Sequence, residues 1–263
     1  MFPFLALYYK SQGLTGGQIG LLVALIPLLS FFGAPLWTGM ADATHRHKLV
    51  TGISLLGVVI MALILPGIST FAGLVLAISL YAFLGSPTNA LTDSAVLSLL
   101  GEQKARYGRI RLWGTLGYGA MAPIAGEIID RLSLKWSFWG YAILTFVGLL
   151  IVVQIPFRQS HSNESFVGGM RSLFANRSWM LFLVMVFFGG IGMATINYYL
   201  FVYMESLGAS KFLMGLALLV GTASEIPALF FGNRFLRRFG ARSLLIIAMT
   251  IIGLRLICYS LVT

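Results

Sequence analysis

Acidic residues are the scarcest chemical class in this sequence. Asp and Glu together number 8 in 263 residues, and all charged residues make up only 10% of the chain. A chain that is 58% hydrophobic, with a mean hydropathy of +0.90, cannot hide that much apolar surface inside a soluble domain of this size. The low charge therefore excludes an ordinary soluble protein and predicts helices that cross a lipid bilayer.

Cysteine and histidine are almost absent. The single Cys258 lies in an apolar stretch, so no disulfide framework can form within the chain, and a buried inert thiol is expected. His45, His47 and His161 have no partners at ligand spacing, so we predict no metal site, and we expect no cofactor. The sequence shows no metal cluster and no nucleophile–base pair. A membrane enzyme is therefore a weaker interpretation than a transporter or a membrane scaffold.

Lysine and arginine are abundant by comparison, and the net charge of +10 raises the question of nucleic acid. Four short loops hold 13 of these 18 residues, however, and apolar stretches separate the loops. This pattern is the orientation signal of a membrane protein, so no nucleic-acid partner is expected. The loops predicted to be cytoplasmic are 42–48, 101–111, 156–178 and 232–242. We therefore predict a multi-pass protein of the plasma membrane.

Eight apolar stretches are long enough to cross a bilayer, and residues 1–9 form only the stub of another helix. The full spans are predicted at 17–41, 49–68, 71–99, 111–130, 137–155, 179–204, 212–231 and 243–262. The most polar stretch divides them into an N-terminal bundle, a cytoplasmic linker and a C-terminal bundle. The predicted bounds of these three parts are 1–155, 156–178 and 179–263.

The sequence contains an internal repeat at an offset of 195 residues. Residues 8–15 align with residues 203–210, with serine at positions 11 and 206 and glycine at positions 13 and 208. Each copy has the order helix end, outer loop, helix, basic inner loop, helix. This order is typical of transporters whose halves are related by an axis along the membrane normal. The second copy holds three helices where six are expected, so the chain reads as incomplete at both ends.

Five of the charged residues inside predicted spans are singled out, because charge there is costly and usually lines a polar path or forms a pair. They are Asp93, Arg111, Glu127, Glu225 and Arg255. Two of them, Asp93 and Arg111, flank one short inner loop at similar distances, so antiparallel helices should bring them together. Glu127 lies four residues before Arg131, and a surface ion pair within one helix explains it.

The first inner loop carries an acidic residue followed by basic ones. Asp42, Arg46 and Lys48 form this pattern, which resembles the inner-loop signature of the major facilitator superfamily. The resemblance implies a loop that braces neighbouring helices on the cytoplasmic face and takes part in gating. A plain cytoplasmic loop with positive charge is the alternative interpretation.

The segment from Tyr107 to Tyr118 resembles the start of the fifth helix in the lactose permease-like branch of that superfamily. The resemblance implies that Arg111 binds substrate, that Tyr118 stacks on a substrate ring and that Asp93 is the acidic partner of the arginine. Asn89 lies four residues before Asp93 on the same helix face and is added to the substrate-binding set. The alternative for the arginines of this segment is that they anchor the helix at the membrane interface.

Residues 222–227 and 239–256 resemble the eighth and ninth helices of the same branch. The resemblance implies that Glu225 binds substrate or carries a proton and that Arg255 takes part in proton coupling, together with Asp93. Both Glu225 and Arg255 fall near the middle of a predicted span. A purely structural salt bridge between these two residues is the alternative.

Together these features predict an all-α major facilitator-type fold with two bundles, incomplete in this chain. The expected function is proton-coupled symport of a small polar or aromatic organic solute by alternating access, with protons, the solute and the lipid bilayer as partners. The alternative is a truncated membrane remnant or scaffold that does not transport. If the short chain is itself functional, a partner chain would have to supply the missing helices.

Overall fold

The computed structural model of the chain describes residues 2–154 and 175–261. Across these two ranges the backbone forms nine α-helices and contains no strand, as the sequence predicted. The helices are α1 (Phe2–Ser11), α2 (Gly16–Thr44), α3 (His47–Ile64), α4 (Phe71–Gly85), α5 (Thr88–Leu100), α6 (Tyr107–Arg131), α7 (Trp136–Val152), α8 (Arg177–Ser206) and α9 (Lys211–Leu261). Short 3₁₀ helices follow α3 and α5, at Leu65–Gly67 and Gly101–Arg106.

Five helical segments of the described chain are long and apolar enough to cross a membrane. They are Gly16–Thr44, His47–Gly67, Phe71–Gln103, Arg177–Ser206 and Lys211–Tyr259. The last segment covers two predicted spans, 212–231 and 243–262. The helical geometry breaks between them at Gly240, which has φ 74° and ψ 157°. Helix α7 is apolar but shorter than these five segments. Helix α6 is long enough, with 25 residues, but its five glycines and five charged residues make it less apolar than the five segments.

The predicted span 71–99 consists of two helices that meet at Pro87. Proline has no N–H to donate to the carbonyl of Phe83, and the hydroxyl of Ser86 donates to that oxygen instead, at 2.8 Å. The carbonyl of Leu84 accepts from the hydroxyl of Ser54 on α3, at 2.6 Å. Backbone groups near this break therefore keep partners inside the protein, as a break within a membrane requires.

The outer turns that begin the two copies of the repeat have the same local geometry. Gly13 and Gly208 both have φ 78°, a left-handed conformation that only glycine adopts at low cost. Ser11 and Ser206 each donate to the carbonyl three residues earlier, both at 2.7 Å. In each copy a hydroxyl oxygen then caps the next helix: that of Thr15 accepts from the backbone amide of residue 18, and that of Ser210 accepts from the backbone amide of residue 213. The repeat is thus confirmed over residues 8–15 and 203–210.

The chain divides into two compact units. The described part of the first unit is residues 2–154 and 201–230, and that of the second unit is residues 175–200 and 231–261. In the first unit, α3 packs against α4 and α7, and α2 packs against α4. In the second unit, Gly189 lies against Met249 and Gly192 lies against Ile252. The predicted linker 156–178 falls mostly outside the described residues, so the predicted domain bounds stay a prediction.

Large apolar side chains cover much of the protein surface. Phe31, Trp113 and Val220 are 74%, 75% and 70% exposed. Apolar patches on this scale are unusual for a soluble protein, and they fit a surface that contacts lipid. Cys258 is also exposed, so the expectation of a buried thiol is wrong. Its span presents that helix face outward rather than into a core.

Helix α6 packs closely against the first part of α9 along its whole length, within the first unit. Gly126 faces the backbone of Lys211, and Gly108, near the other end of α6, lies so close to Leu229 that an added Cβ would stand 2.6 Å from its carbonyl oxygen. Between them, Gly119 faces the hydroxyl of Thr222. Small residues let two backbones approach in this way, and close van der Waals contact then holds the helices together.

We expect Gly126→Ala to lower the apparent melting temperature in detergent by several degrees. The added Cβ would meet the backbone of Lys211 and Phe212, which cannot move as a flexible side chain could, and overpacking of this kind costs about 1–3 kcal/mol. Gly117→Ala is the matched control on the same helix, because nothing lies within 4 Å of the added carbon. Equal melting temperatures for the two variants would contradict the close packing.

Candidate functional site

Asp93 of α5 and Arg111 of α6 form the predicted ion pair. Nη1 of Arg111 lies 3.1 Å from Oδ1 and 3.3 Å from Oδ2 of Asp93. The side chains are 54% exposed for Arg111 and 42% exposed for Asp93, so the pair lies at an accessible surface rather than in the packed core. The two helices are joined by the 3₁₀ helix Gly101–Arg106, which lets the chain reverse and brings positions 18 residues apart together.

Tyr107 completes this cluster, and the sequence reasoning did not assign it a role. The same Nη1 of Arg111 donates a hydrogen bond to the hydroxyl oxygen of Tyr107, at 2.9 Å. The two residues are four apart on α6, so the helical spacing was the available signal. One guanidinium nitrogen is therefore held from its own helix by Tyr107 and from α5 by Asp93. These two contacts fix the plane of the guanidinium group, so its other N–H groups point in a direction set by both helices.

Tyr118 lies in a separate apolar cavity of about 520 Å³. Aromatic side chains from three helices line this cavity, namely Phe4, Tyr118, Trp136 and Tyr141, and hydroxyl groups come from Ser137 and Thr145. Asp93 and Arg111 are not among the lining residues. Because Tyr118 is seven residues after Arg111, the two positions are separated by roughly 10 Å along α6. The structure therefore does not place the ion pair and Tyr118 in one cavity.

The remaining residues of the predicted substrate and proton site lie on different elements. Asn89 and Glu225 are exposed on α5 and α9, within the first unit. Arg255 belongs to the second unit, where its Nε donates to the hydroxyl of Tyr259 at 2.7 Å and its guanidinium carbon lies 5.3 Å from the centroid of that ring. The predicted roles of Glu225 and Arg255 in solute binding and proton coupling stay predictions, as does the alternative of a salt bridge between them.

In the first inner loop, the acidic residue pairs with a histidine. Asp42 accepts from Nε2 of His47 at 2.8 Å, while Arg46 and Lys48 are exposed. The reversal is achieved at His45, whose φ of 54° ends α2 in a left-handed turn. His47 starts α3 and is held mostly out of solvent, with 16% of its side chain exposed, so it reaches back to the end of α2. The acidic residue does join two helices, as the resemblance implied.

The predicted surface ion pair between Glu127 and Arg131 is confirmed. Nε of Arg131 lies 2.6 Å from Oε1 of Glu127, one turn apart near the end of α6. Among the described residues no group of three metal-ligating side chains is found.

The whole chain, residues 1–263, matches the MFS_1 like family. The protein belongs to this family of the major facilitator superfamily. The membrane-enzyme alternative loses its support, because the relatives are named as transporters. The predicted superfamily membership and the all-helical membrane class are thereby confirmed.

Known relatives cover nearly the full length of this chain. It is 28% identical over 251 residues to an uncharacterized transporter, YwbF, of Bacillus subtilis (strain 168), a match that includes 94% of this chain and 63% of the relative. It is also 28% identical over 267 residues to a maltose permease of Geobacillus stearothermophilus, with 99% and 66% covered. The chain thus spans about two thirds of the length of these relatives.

The fold resembles that of a solved transporter. A crystal structure of a mutant of the nucleoside transporter NupG matches with a TM-score of 0.76 at 18% identity, over 90% of this chain and 65% of that one. At this level of identity the likeness concerns the fold alone.

We expect the Asp93–Arg111 pair to couple the stabilities of α5 and α6. Asp93→Asn and Arg111→Gln should each lower the apparent melting temperature, and the double variant should lose less than the two single variants together, because both remove the same contact. A coupling of about 1 kcal/mol or less is expected, since both side chains are half-exposed. Fully additive losses would show that the contact contributes nothing.

Proposed function

We propose that the protein is a secondary active transporter that moves a small polar or aromatic organic solute together with protons by alternating access. The observation that carries the proposal is the cluster of Asp93, Arg111 and Tyr107, found in a chain of a transporter family. A guanidinium held by two partners presents its remaining N–H groups in a fixed direction. Such a group suits a carboxylate or a hydroxyl group of a solute.

The apolar cavity supports the proposed solute class. Its volume of about 520 Å³ falls in the usual range for small-molecule sites, and its walls combine aromatic rings with a few hydroxyl groups. We propose that Tyr118 stacks on a ring of the solute there. One relative is a maltose permease, and the similar solved structure is a nucleoside transporter. Maltose and nucleosides both contain rings that carry hydroxyl groups. A solute that combines a ring with polar groups would fit both parts of the proposal.

Proton coupling is assigned to charged residues deep in predicted spans. Glu225 is exposed on α9, and a carboxylate at this depth is costly unless it faces a polar path or takes up a proton. We propose that Glu225 binds the solute or carries the proton, that Arg255 controls the proton affinity of Glu225 and that Asp93 orients Arg111. Asn89, one turn before Asp93, would contribute a hydrogen bond to the solute.

The proposed orientation follows the distribution of basic residues. We place the inner loops, the predicted linker 156–178 and the loop with Asp42, Arg46 and Lys48 on the cytoplasmic side of the plasma membrane. The contact between Asp42 and His47 would then brace α2 against α3 while the protein changes conformation. We propose that this loop takes part in gating.

The test is solute-driven proton entry into liposomes that contain the purified protein and an enclosed pH-sensitive dye. Maltose, uridine and an aromatic carboxylate serve as probes. We expect at least one probe to acidify the interior, and we expect Asp93→Asn and Glu225→Gln each to slow that initial rate roughly tenfold or more. A hydrogen bond to a charged group contributes about 1.5–3 kcal/mol, which corresponds to such a factor.

Glu127→Gln is the matched control for these variants. It also removes a carboxylate from a span, but its pair with Arg131 lies near the helix end and is half-exposed, so the rate should change by no more than about twofold. Unchanged rates in both Asp93→Asn and Glu225→Gln would overturn the site assignment. Uptake of a labelled probe without acidification would retain the transporter and reject proton coupling. Absence of any uptake would favour the scaffold alternative.

A further inference from the structure

Equivalent positions of the two repeat copies meet at the outer ends of their helices. Nζ of Lys10, at the end of α1, lies 3.0 Å from Oε2 of Glu205, at the end of α8. These residues are separated by 195 positions, which equals the offset of the repeat. Their neighbouring turns have the same hydrogen bonds and the same glycine conformation, so the equivalence is structural as well as sequential.

This contact has a geometric consequence. A two-fold rotation exchanges equivalent positions, so two equivalent side chains can touch only beside the rotation axis. In transporters built from parallel repeats, that axis runs along the membrane normal, and the solute site lies at the interface of the repeats. The ion pair of Lys10 with Glu205 therefore stands over the outer end of this axis.

A second layer of contact lies deeper along the same helices. The rings of Phe4 and Phe201 form an edge-to-face pair with centroids 4.9 Å apart, and both side chains are 2% exposed. Phe4 is six residues before Lys10, which places it roughly 9 Å further from the outer surface. Phe4 also lines the apolar cavity that contains Tyr118. One ring of this aromatic pair thus borders the cavity, about six residues along α1 from the ion pair.

Two further contacts tie the start of α9 to the same outer end. Nζ of Lys211 lies 2.7 Å from Oε1 of Glu205, so each oxygen of this carboxylate contacts a different lysine. Asp130, at the end of α6, accepts from the backbone amides of Lys211 and Phe212, at 3.1 and 2.9 Å. These amides begin a helix and have no partner within it, so the carboxylate caps α9 from another helix.

We propose that Glu205, with Lys10 and Lys211, is the ionic part of an outer gate whose apolar part is the pair of Phe4 and Phe201. The gate is closed in this structure. Opening to the outside requires the ion pair of Lys10 with Glu205 to break and the two rings to separate, whereas the contact of Lys211 with Glu205 joins α8 to α9 within one bundle and can persist. The proposal rests on the alternating-access function proposed above, but its test needs no solute and no transport measurement.

The test measures how quickly a membrane-impermeant maleimide, added from outside, reaches a cysteine beneath the ion pair. The reporter is Ala6→Cys in a Cys258→Ala background. Ala6 is 1% exposed and lies one turn before Lys10 on the same face of α1. We expect Glu205→Gln to raise the labelling rate roughly five-fold. This factor corresponds to the loss of about 1 kcal/mol, the upper range for an exposed ion pair.

The two lysines make the expected pattern specific. Lys10→Gln alone should raise the rate about as much as Glu205→Gln, because either change removes the ion pair between α1 and α8, and the contact of Lys211 with Glu205 does not join these two helices. Adding Lys10→Gln to Glu205→Gln should cause no further rise, since the shared partner is already lost. Should Glu205→Gln fail to fold, the rise in Lys10→Gln still decides the question, and the absence of that rise overturns the gate.

Two controls separate gate opening from general loosening. Arg131→Gln breaks another exposed ion pair near the end of α6 and should leave the labelling of position 6 unchanged. A second reporter, Ala142→Cys, is equally buried but packs against Val59 and Ala62, and its labelling should not respond to Glu205→Gln. An unchanged rate at position 6 in Glu205→Gln, or an equal rise in either control, would overturn the proposal.

Discussion

A polar group inside a lipid bilayer has no water to bond with, and this constraint governs the arrangement of the whole chain. The cost of an unsatisfied backbone or charged group in hydrocarbon is several kcal/mol, so each such group must find a partner within the protein. The break at Pro87 meets this requirement with the hydroxyls of Ser54 and Ser86. Arg111 meets it with Asp93 and Tyr107. Polar contacts in this protein therefore mark the positions where helices must keep a defined relation to one another.

Features determined by local spacing could be predicted from the sequence. Asp93 and Arg111 lie at similar distances from one inner loop, and antiparallel helices leave them little choice of partner. The outer turns of the repeat depend on glycine and on hydroxyl caps, which act within a few residues and so leave a clear trace in the sequence. The ion pair of Glu127 with Arg131 follows from helical periodicity alone.

Features that depend on packing between distant segments could not be predicted in this way. The cap that Asp130 provides for α9 joins residues about 81 positions apart, and no local pattern marks a carboxylate as a cap for another helix. The resemblance implied that Tyr118 and Arg111 share one substrate site, yet Tyr118 lines a cavity formed with α1 and α7. The sequence predicted α6 as an ordinary apolar span, yet it is more polar than that, because a helix packed closely against a neighbour can contain glycine and charge that a lipid-facing helix could not.

The opposite charges at positions 10 and 205 bear on how a repeated chain diverges. Two identical copies would place either two lysines or two glutamates beside the axis, and like charges in contact repel. The contact seen here is possible only because the copies differ at this position. The α1–α2 hairpin and the start of the α8–α9 hairpin are therefore not interchangeable. If the first hairpin replaced the second, a lysine would face a lysine where Lys10 now attracts Glu205. A difference at one pair of equivalent positions thus makes the contact between the two copies attractive only when each copy occupies its own place in the chain.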